Sequence, residues 1–149
     1  MTTVIRTTQI LVHAPLQKSF DYVSDLSKHP EWSGGELKID AVSSSPIAVG
    51  KEYISHGEVA TQKNRPNQLR VSDYNSPNKF GFIAKDPDFG DVFHVFTFAE
   101  QNGGTLITRQ VTLNLNPFVA FGFRFVIYPL IGNPAMQKAN DRLKAKLES

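Results

Sequence analysis

Between residues 36 and 115 the chain is a series of short β runs separated by turn residues, and this feature constrains the fold most. The runs are 36–44, 51–62, 68–75, 79–85, 91–101 and 104–115. The turns between them are Ser45-Pro46, Asn64-Arg65-Pro66, Ser76-Pro77-Asn78, Asp86-Pro87-Asp88 and Asn102-Gly103-Gly104. Such residues interrupt strands because they favour turn geometries or lack a backbone donor. The pattern predicts a meander of antiparallel hairpins, clearest at Asn102-Gly103, where both residues tolerate positive φ angles.

The segment before this meander predicts one further strand and two short helices. Residues 4–13 alternate, which places one set of side chains on a common face: Val4, Arg6, Thr8, Ile10 and Val12. After Ala14-Pro15, apolar residues recur at spacings of four and three, which predicts a helix over 15–24. Asp25 is then a candidate N-cap for a second short helix that runs toward Pro30.

The C-terminal region is predicted to be helical in two segments, which begin at Asn116-Pro117 and Asn133-Pro134. The second segment is amphipathic, whereas the first is apolar all round its circumference. In the first segment, a set at helical spacing is expected to face the sheet: Phe118, Phe121, Phe125 and Tyr128. The rest would face elsewhere: Val119, Phe123, Val126 and Leu130.

Composition limits the function classes. The 149 residues suit one domain, and 16 basic against 14 acidic residues give a charge of +2, too small for a dedicated nucleic-acid binder. There is no cysteine, and the N-terminus has no secretory pattern, so we expect a cytoplasmic protein. The longest apolar stretch, 118–131, is interrupted by Arg124 and Pro129, so no stable membrane insertion is expected.

This order of elements resembles the START-like helix-grip superfamily (SRPBCC), in its polyketide cyclase/dehydrase and lipid-transport group. The resemblance covers essentially the whole chain and depends on several short motifs. They are Ile10-Leu11-Val12-His13-Ala14-Pro15, Phe20-Asp21-Tyr22-Val23-Ser24-Asp25, Pro30-Glu31-Trp32, Gly50, Gly103-Gly104-Thr105, Ile107-Thr108-Arg109 and residues 143–148. The resemblance implies an α+β fold in which a curved seven-stranded antiparallel sheet surrounds a long C-terminal helix, continuous or broken. It also implies a cavity for an apolar ligand, with no cofactor.

His94 and Arg109 are the candidate polar groups of such a cavity. Alternation places each on an apolar face of its strand, so both are predicted to point inward. They would anchor a ligand carboxylate, carbonyl or phenol, or serve as the acid/base and oxyanion pair of a cyclisation or dehydration. The structural alternative is that Arg109 pairs with a carboxylate such as Asp73 and that His94 hydrogen-bonds a neighbour.

The remaining candidate ligand-binding residues are aromatic. Eleven phenylalanines occur, and only Phe20 precedes residue 80. The candidates for the cavity wall are Phe80, Phe82, Phe96, Phe98, Phe121, Phe125 and Tyr128, with Tyr22 and Trp32 at a rim near His29. Each has an alternative role as core, because the same side chains that line a pocket also fill one. The four histidines are scattered, so no metal site is predicted.

Three functional hypotheses remain open on this basis. The first is binding of a hydrophobic or aromatic small molecule or lipid without a cofactor. The second is a cyclase or dehydratase acting on a polyketide-like chain. The third is a regulatory or interaction module that uses the apolar surface of residues 118–130, with a homodimer as one form. An interfacial membrane helix usually carries several basic residues, and this segment has only Arg124, which favours a partner or a pocket portal over a membrane.

Overall fold

The computed structural model describes residues 1–34, 36–59, 62–86 and 89–149. The strands are β1 (Thr2–Val12), β2 (Glu36–Ala41), β3 (Glu52–Val59), β4 (Gln62–Asn75), β5 (Lys79–Asp86), β6 (Gly90–Gln101) and β7 (Gly104–Leu115). The helices are α1 (Leu16–Ser24), a 3-10 helix (Leu26–Glu31) and a long C-terminal helix (Pro117–Leu147). The predicted strand before two short helices is therefore confirmed, and Asp25 caps the second helix by accepting from the Ser27 N–H.

The strands form one antiparallel sheet in the order β1-β7-β6-β5-β4-β3-β2. Strands β2 to β7 follow each other as hairpins, as the meander predicts, and β1 pairs along its whole length with β7. Register shifts in β2, β3 and β4 mark irregularities that increase local bending and twist. The result is the seven-stranded helix-grip architecture, with the helices on one face of the sheet.

The β6–β7 turn has the geometry that its sequence predicts. Asn102 and Gly103 have φ angles of 51° and 78°, so both occupy the left-handed region required by a tight hairpin. Gly104 follows, and a Cβ at this position would collide with the backbone of Val12. The turn sequence therefore also permits the close approach of the first strand to the last one.

The predicted turn at Asn64-Arg65-Pro66 is wrong, because these residues belong to β4. Pro66 pairs with His56 of β3, whereas the described pairing of β4 with β5 begins only at Gln68. The missing N–H of a proline is tolerated where a strand has no partner on one side. Residues 60–61, between β3 and β4, lie outside the described residues, as do Pro87 and Asp88 of the predicted turn Asp86-Pro87-Asp88.

The predicted break at Asn133-Pro134 is also wrong, because Pro117–Leu147 is one continuous helix. Asn116 caps it as expected, since its Oδ1 accepts from the N–H groups of Phe118 and Val119. The middle, Phe123–Gly132, is π-helical, and the Asn133 N–H donates to the Tyr128 carbonyl five residues earlier. Helical φ and ψ angles persist through Gly132 and Asn133, so the chain passes Pro134 without ending the helix.

Two apolar clusters lie between the sheet and the helices. The large cluster joins all seven strands, α1, the 3-10 helix and the end of the C-terminal helix around Phe20, Trp32, Phe80 and Phe96, which are fully buried. The small cluster lies under the first half of the C-terminal helix. Its buried members are Val4, Val92, Val111, Leu113, Leu115, Ala120 and Phe123.

Candidate functional site

A pocket of about 320 Å³ lies where the two clusters meet, between the sheet and the π-helical segment. Its apolar wall is formed by Ile39, Leu69, Phe82, Ala84, Phe89, Val92, Val111, Leu113, Phe123, Tyr128, Gly132 and Met136. Its polar lining is formed by Arg6, His29, Ser33, Ser55, Asn67, Asp86, His94 and Arg109. A mostly apolar surface with a few converging polar groups is the usual composition of a small-molecule site.

His94 and Arg109 reach this pocket from neighbouring strands. In the β6–β7 register His94 lies opposite Val111 and Arg109 opposite Phe96, so the two side chains are diagonal neighbours on the same face. The His94 ring stacks on Phe82, with centroids 4.5 Å apart and an interplanar angle of 8°. The strand alternation that places both side chains on the inner face is the pattern predicted from sequence.

The environment of His94 keeps its imidazole neutral. Burial is the main cause, and the positive charge of Arg109 and the nearby His29 add to it, so that the pKa of His94 falls from 6.5 to about 3. Its Nδ1 atom is enclosed and has no hydrogen-bond partner among the residues that the structure describes. A neutral imidazole has one donor and one acceptor nitrogen, and either suits a polar ligand group.

His29 is a second buried histidine at the pocket, held by the 3-10 helix. Its Nε2–H donates to the Val23 carbonyl at 2.7 Å, which assigns the Nδ1 atom of the neutral ring as the acceptor. Burial lowers the pKa of His29 to about 4, although the hydrogen bond to Val23 acts in the opposite direction. The positive charge of Arg109 contributes to this lowering, so the guanidinium and the two imidazoles influence one another electrostatically.

Arg109 lies against aromatic rings. Its guanidinium carbon is 5.6 Å from the centre of the Trp32 ring and 5.5 Å from that of Phe96. Cation–π attraction at these distances holds the planar group at the pocket wall. Asp73, the carboxylate considered as its alternative partner, instead lies beside Lys79, with 3.7 Å between Oδ1 and Nζ.

The structure divides the predicted ligand-binding residues into four groups, of which the exposed Phe121 and Phe125 are the last. Phe82, His94, Arg109 and Tyr128 line the pocket. Trp32, Phe80, Phe96 and Phe98 are buried in the large cluster, where they support the pocket residues from behind. Tyr22 packs at the edge of that cluster and donates its hydroxyl proton to Glu31 at 2.9 Å, so it lies beside the core and not at a rim.

The expectation that Phe118, Phe121 and Phe125 face the sheet is wrong, because they are 86%, 64% and 65% exposed. Phe123, expected on another side, is buried and packs edge-on against Phe89 at 5.7 Å. The π-helical segment that begins at Phe123 changes the number of residues per turn, so the α-helical spacing used for the prediction does not apply across it. Tyr128 faces inward, and the Arg6 guanidinium carbon lies 4.9 Å from its ring centre.

Sequence reasoning missed several polar lining residues, although a signal was available for some. Arg6 lies between Val4 and Thr8 on the common face predicted for β1, and it was not identified as a site residue. Ser55 follows Tyr53 at the two-residue spacing of an inner face, and Asn67 precedes Leu69 in the same way. A polar residue within an apolar alternation is therefore the signal that identifies this pocket.

In the described parts of the chain no group of three His, Cys, Asp or Glu residues is arranged to hold a metal ion. No protein-family model matches the chain, and no curated protein sequence matches it.

Solved structures are similar over almost the whole chain. The di-domain ARO/CYC BexL from the BE-7585A biosynthetic pathway superposes with a TM-score of 0.75 at 16% identity, over 99% of this chain and 50% of that one. This chain thus spans about half of that di-domain protein. Ara h 8.0201 superposes with a TM-score of 0.69 at 12% identity, over 98% of each chain. Protein Ms6760 from Mycobacterium smegmatis gives 0.65 at 18% identity, over 96% of this chain and 90% of that one.

At such low identities the likeness is evidence of architecture, and it agrees with the strand order and helix positions described above. The chain has the helix-grip fold, as its sequence motifs predict.

Proposed function

We propose that this protein binds a hydrophobic or aromatic small molecule, or a compact lipid, in the pocket between sheet and C-terminal helix, without a cofactor. The observation that carries the proposal is the combination in one pocket of an apolar wall with His94 and Arg109. The similarity to di-domain ARO/CYC proteins and to Ara h 8.0201 agrees with a ligand-binding use of the fold.

The size and lining of the pocket favour a compact ligand. Small-molecule pockets range from about 300 to 1,000 Å³, and a volume of about 320 Å³ lies at the lower end. Apolar burial supplies roughly 25 cal/mol per Å² of ligand surface removed from water, while a few polar contacts determine its orientation. Arg109 presents a donor to a carbonyl, phenolate or carboxylate, and the neutral imidazole of His94 accepts or donates beside it.

Binding is better supported than acid/base catalysis. An efficient general base has a pKa near the working pH, whereas burial and the Arg109 charge lower that of His94 to about 3. A cyclase or dehydratase would need the substrate itself to raise this pKa. The enzyme hypothesis therefore predicts turnover of a polyketide-like chain that His94→Leu abolishes, whereas binding alone predicts an altered affinity and no product.

Titration calorimetry and thermal shift with fatty acids, sterols and flavonoid-like aromatics test the proposal. We expect one class to raise the melting temperature and to bind the Arg109→Met variant at least roughly tenfold more weakly, a change of about 1.4 kcal/mol. Lys79→Met is the matched control, because Lys79 is an exposed cation paired with Asp73 and should leave affinity unchanged. If no class binds and native mass spectrometry of the purified protein finds no bound small molecule, the proposal is wrong.

A further inference from the structure

The side of the C-terminal helix that faces away from the sheet is strongly apolar and exposed. We call it the outer helix face, and it consists of Phe118, Val119, Phe121, Phe125, Val126, Leu130 and Ile131, which are 41–86% exposed. The rings of Phe121 and Phe125 contact each other, with centroids 4.9 Å apart, so the residues form a patch and are not scattered. Contiguous apolar surfaces of this kind usually mark a contact site.

Length and composition of this helix indicate lipid as the partner. Pro117–Leu147 is 31 residues long, and its most apolar stretch of 18 residues is long and hydrophobic enough to cross a membrane. Only 11% of that stretch is buried in the fold. The inner side of the same helix, however, holds Phe123, Leu143 and Leu147 in the two clusters. Because withdrawal of these side chains would expose the sheet, the helix fits a bilayer surface and not a span.

The charge along the helix indicates that the partner surface is anionic. Along the helix no acidic residue precedes Asp141, whereas Arg124 and Lys138 are exposed basic residues. Asp91 of β6 borders the groove that Val119 lines, at the start of the helix and away from Lys138 in the chain. The sequence predicts two helical segments, which would separate Lys138 from the apolar stretch. In the structure one continuous helix carries both. A two-fold dimer through this face would bring like charges of the two copies together, whereas anionic headgroups complement them.

We propose that the outer helix face docks reversibly on anionic lipid bilayers, with its phenylalanines at the depth of the headgroups. This site is separate from the pocket, and docking requires no ligand there. The two are linked only in that Phe123, Tyr128 and Gly132, on the inner side of the same segment, belong to the pocket wall.

Vesicle co-flotation tests the proposal, with phosphatidylcholine vesicles that contain or lack phosphatidylserine. We expect the protein to float with the anionic vesicles and to be released by salt. The double variant F121S/F125S should reduce the partition coefficient at least roughly tenfold, because two aromatic side chains no longer enter the interface. The matched control V42S/V49S removes two exposed apolar side chains away from the helix and should float like the original protein.

Charge is tested separately with Lys138→Glu, which should weaken flotation with anionic vesicles by several-fold while leaving the melting temperature unchanged. Three results would overturn the proposal. One is the absence of flotation with anionic vesicles. Another is a dimer in sedimentation velocity that F121S/F125S dissociates, without vesicle binding, since a second copy would then cover the patch. The third is binding that resists alkaline carbonate, which would indicate a spanning helix. Circular dichroism melting verifies that each variant folds.

Discussion

The large apolar cluster and the small one occupy the same face of one sheet but are filled differently. In the large cluster Phe20 meets Phe98 edge-on at 5.3 Å, and Leu143 and Leu147 of the C-terminal helix complete the packing. In the small cluster the helix contributes Ala120 and Phe123. The pocket of about 320 Å³ lies toward this second region.

The difference shows how one fold combines stability with a binding site. Dense aromatic packing at one end provides buried area, and it also fixes the rings of Trp32 and Phe96 beside Arg109. At the other end, the side chains of the helix and the sheet do not fill the space between them completely, and the pocket remains there. The site is therefore bounded by a rigid wall on one side and by a helical segment of unusual geometry on the other.

The largest effect is expected for Phe96→Ala in the large cluster. Phe96 is fully buried and contacts the rings of Phe80 and Trp32, so its truncation leaves a cavity in a closely packed region. We expect the free energy of unfolding to fall by about 3–5 kcal/mol. Urea unfolding followed by circular dichroism measures it, and a loss below about 1 kcal/mol would contradict close packing here.

A smaller loss is expected for Phe123→Ala in the small cluster. Phe123 contacts Phe89 on one side, but it also borders the pocket, where fewer protein atoms surround it. We expect unfolding free energy to fall by about 2 kcal/mol and the pocket to enlarge. The same urea experiment compares the two variants. An equal or greater loss than for Phe96→Ala would remove the distinction between the clusters.

The pocket histidines should make stability depend on pH. Because the folded-state pKa values of His29 and His94 are lowered to about 4 and about 3, the unfolded chain binds more protons below pH 6.5. Their contribution to the free energy of unfolding is complete above pH 6.5 and is lost as the pH falls toward the folded-state pKa values. The free energy of unfolding should therefore decrease between pH 7 and pH 5, and His94→Leu should make this decrease smaller by about 1–2 kcal/mol. An unchanged pH profile in urea unfolding would show that His94 protonates freely in the folded protein.

The smallest effect is expected on the outer helix face. Phe121 is mostly exposed, so Phe121→Ala should change the free energy of unfolding by less than about 0.5 kcal/mol. Phe123→Ala, two residues away, is the internal comparison and should be several-fold more destabilising. Equal losses at the two positions would mean that Phe121, and not only Phe123, packs against the sheet.

The sheet could be predicted well because its signals are local. Turn residues such as Asn102-Gly103 separate the strands, and two-residue alternation placed His94 and Arg109 on the inner face. The turn at residues 64–66 was predicted wrongly because Pro66 normally ends a strand. Pro66 is tolerated within β4 because the pairing with β5 begins only at Gln68, and the extent of that pairing is a property of the assembled sheet.

The C-terminal helix was predicted less well, for a physical reason. Residues 118–131 are apolar on all sides, so amphipathic periodicity contains little information about which side faces the sheet. Two orientations were then almost equivalent by sequence, and the π-helical segment also changes the spacing. Phe121 and Phe125 were consequently assigned to the inside, although Phe123 occupies that position.

By itself, the sequence determined the order of strands and helices, the inner and outer faces of the central strands, and the resemblance to helix-grip proteins. These depend on residues close together in the chain. Only the tertiary structure decided which aromatic residues fill the core, which line a pocket, and which remain exposed on the helix. A phenylalanine side chain is more stable in a core or at a pocket wall than in water. Which residue is buried therefore depends on the space left between sheet and helix, and that space exists only after both have packed.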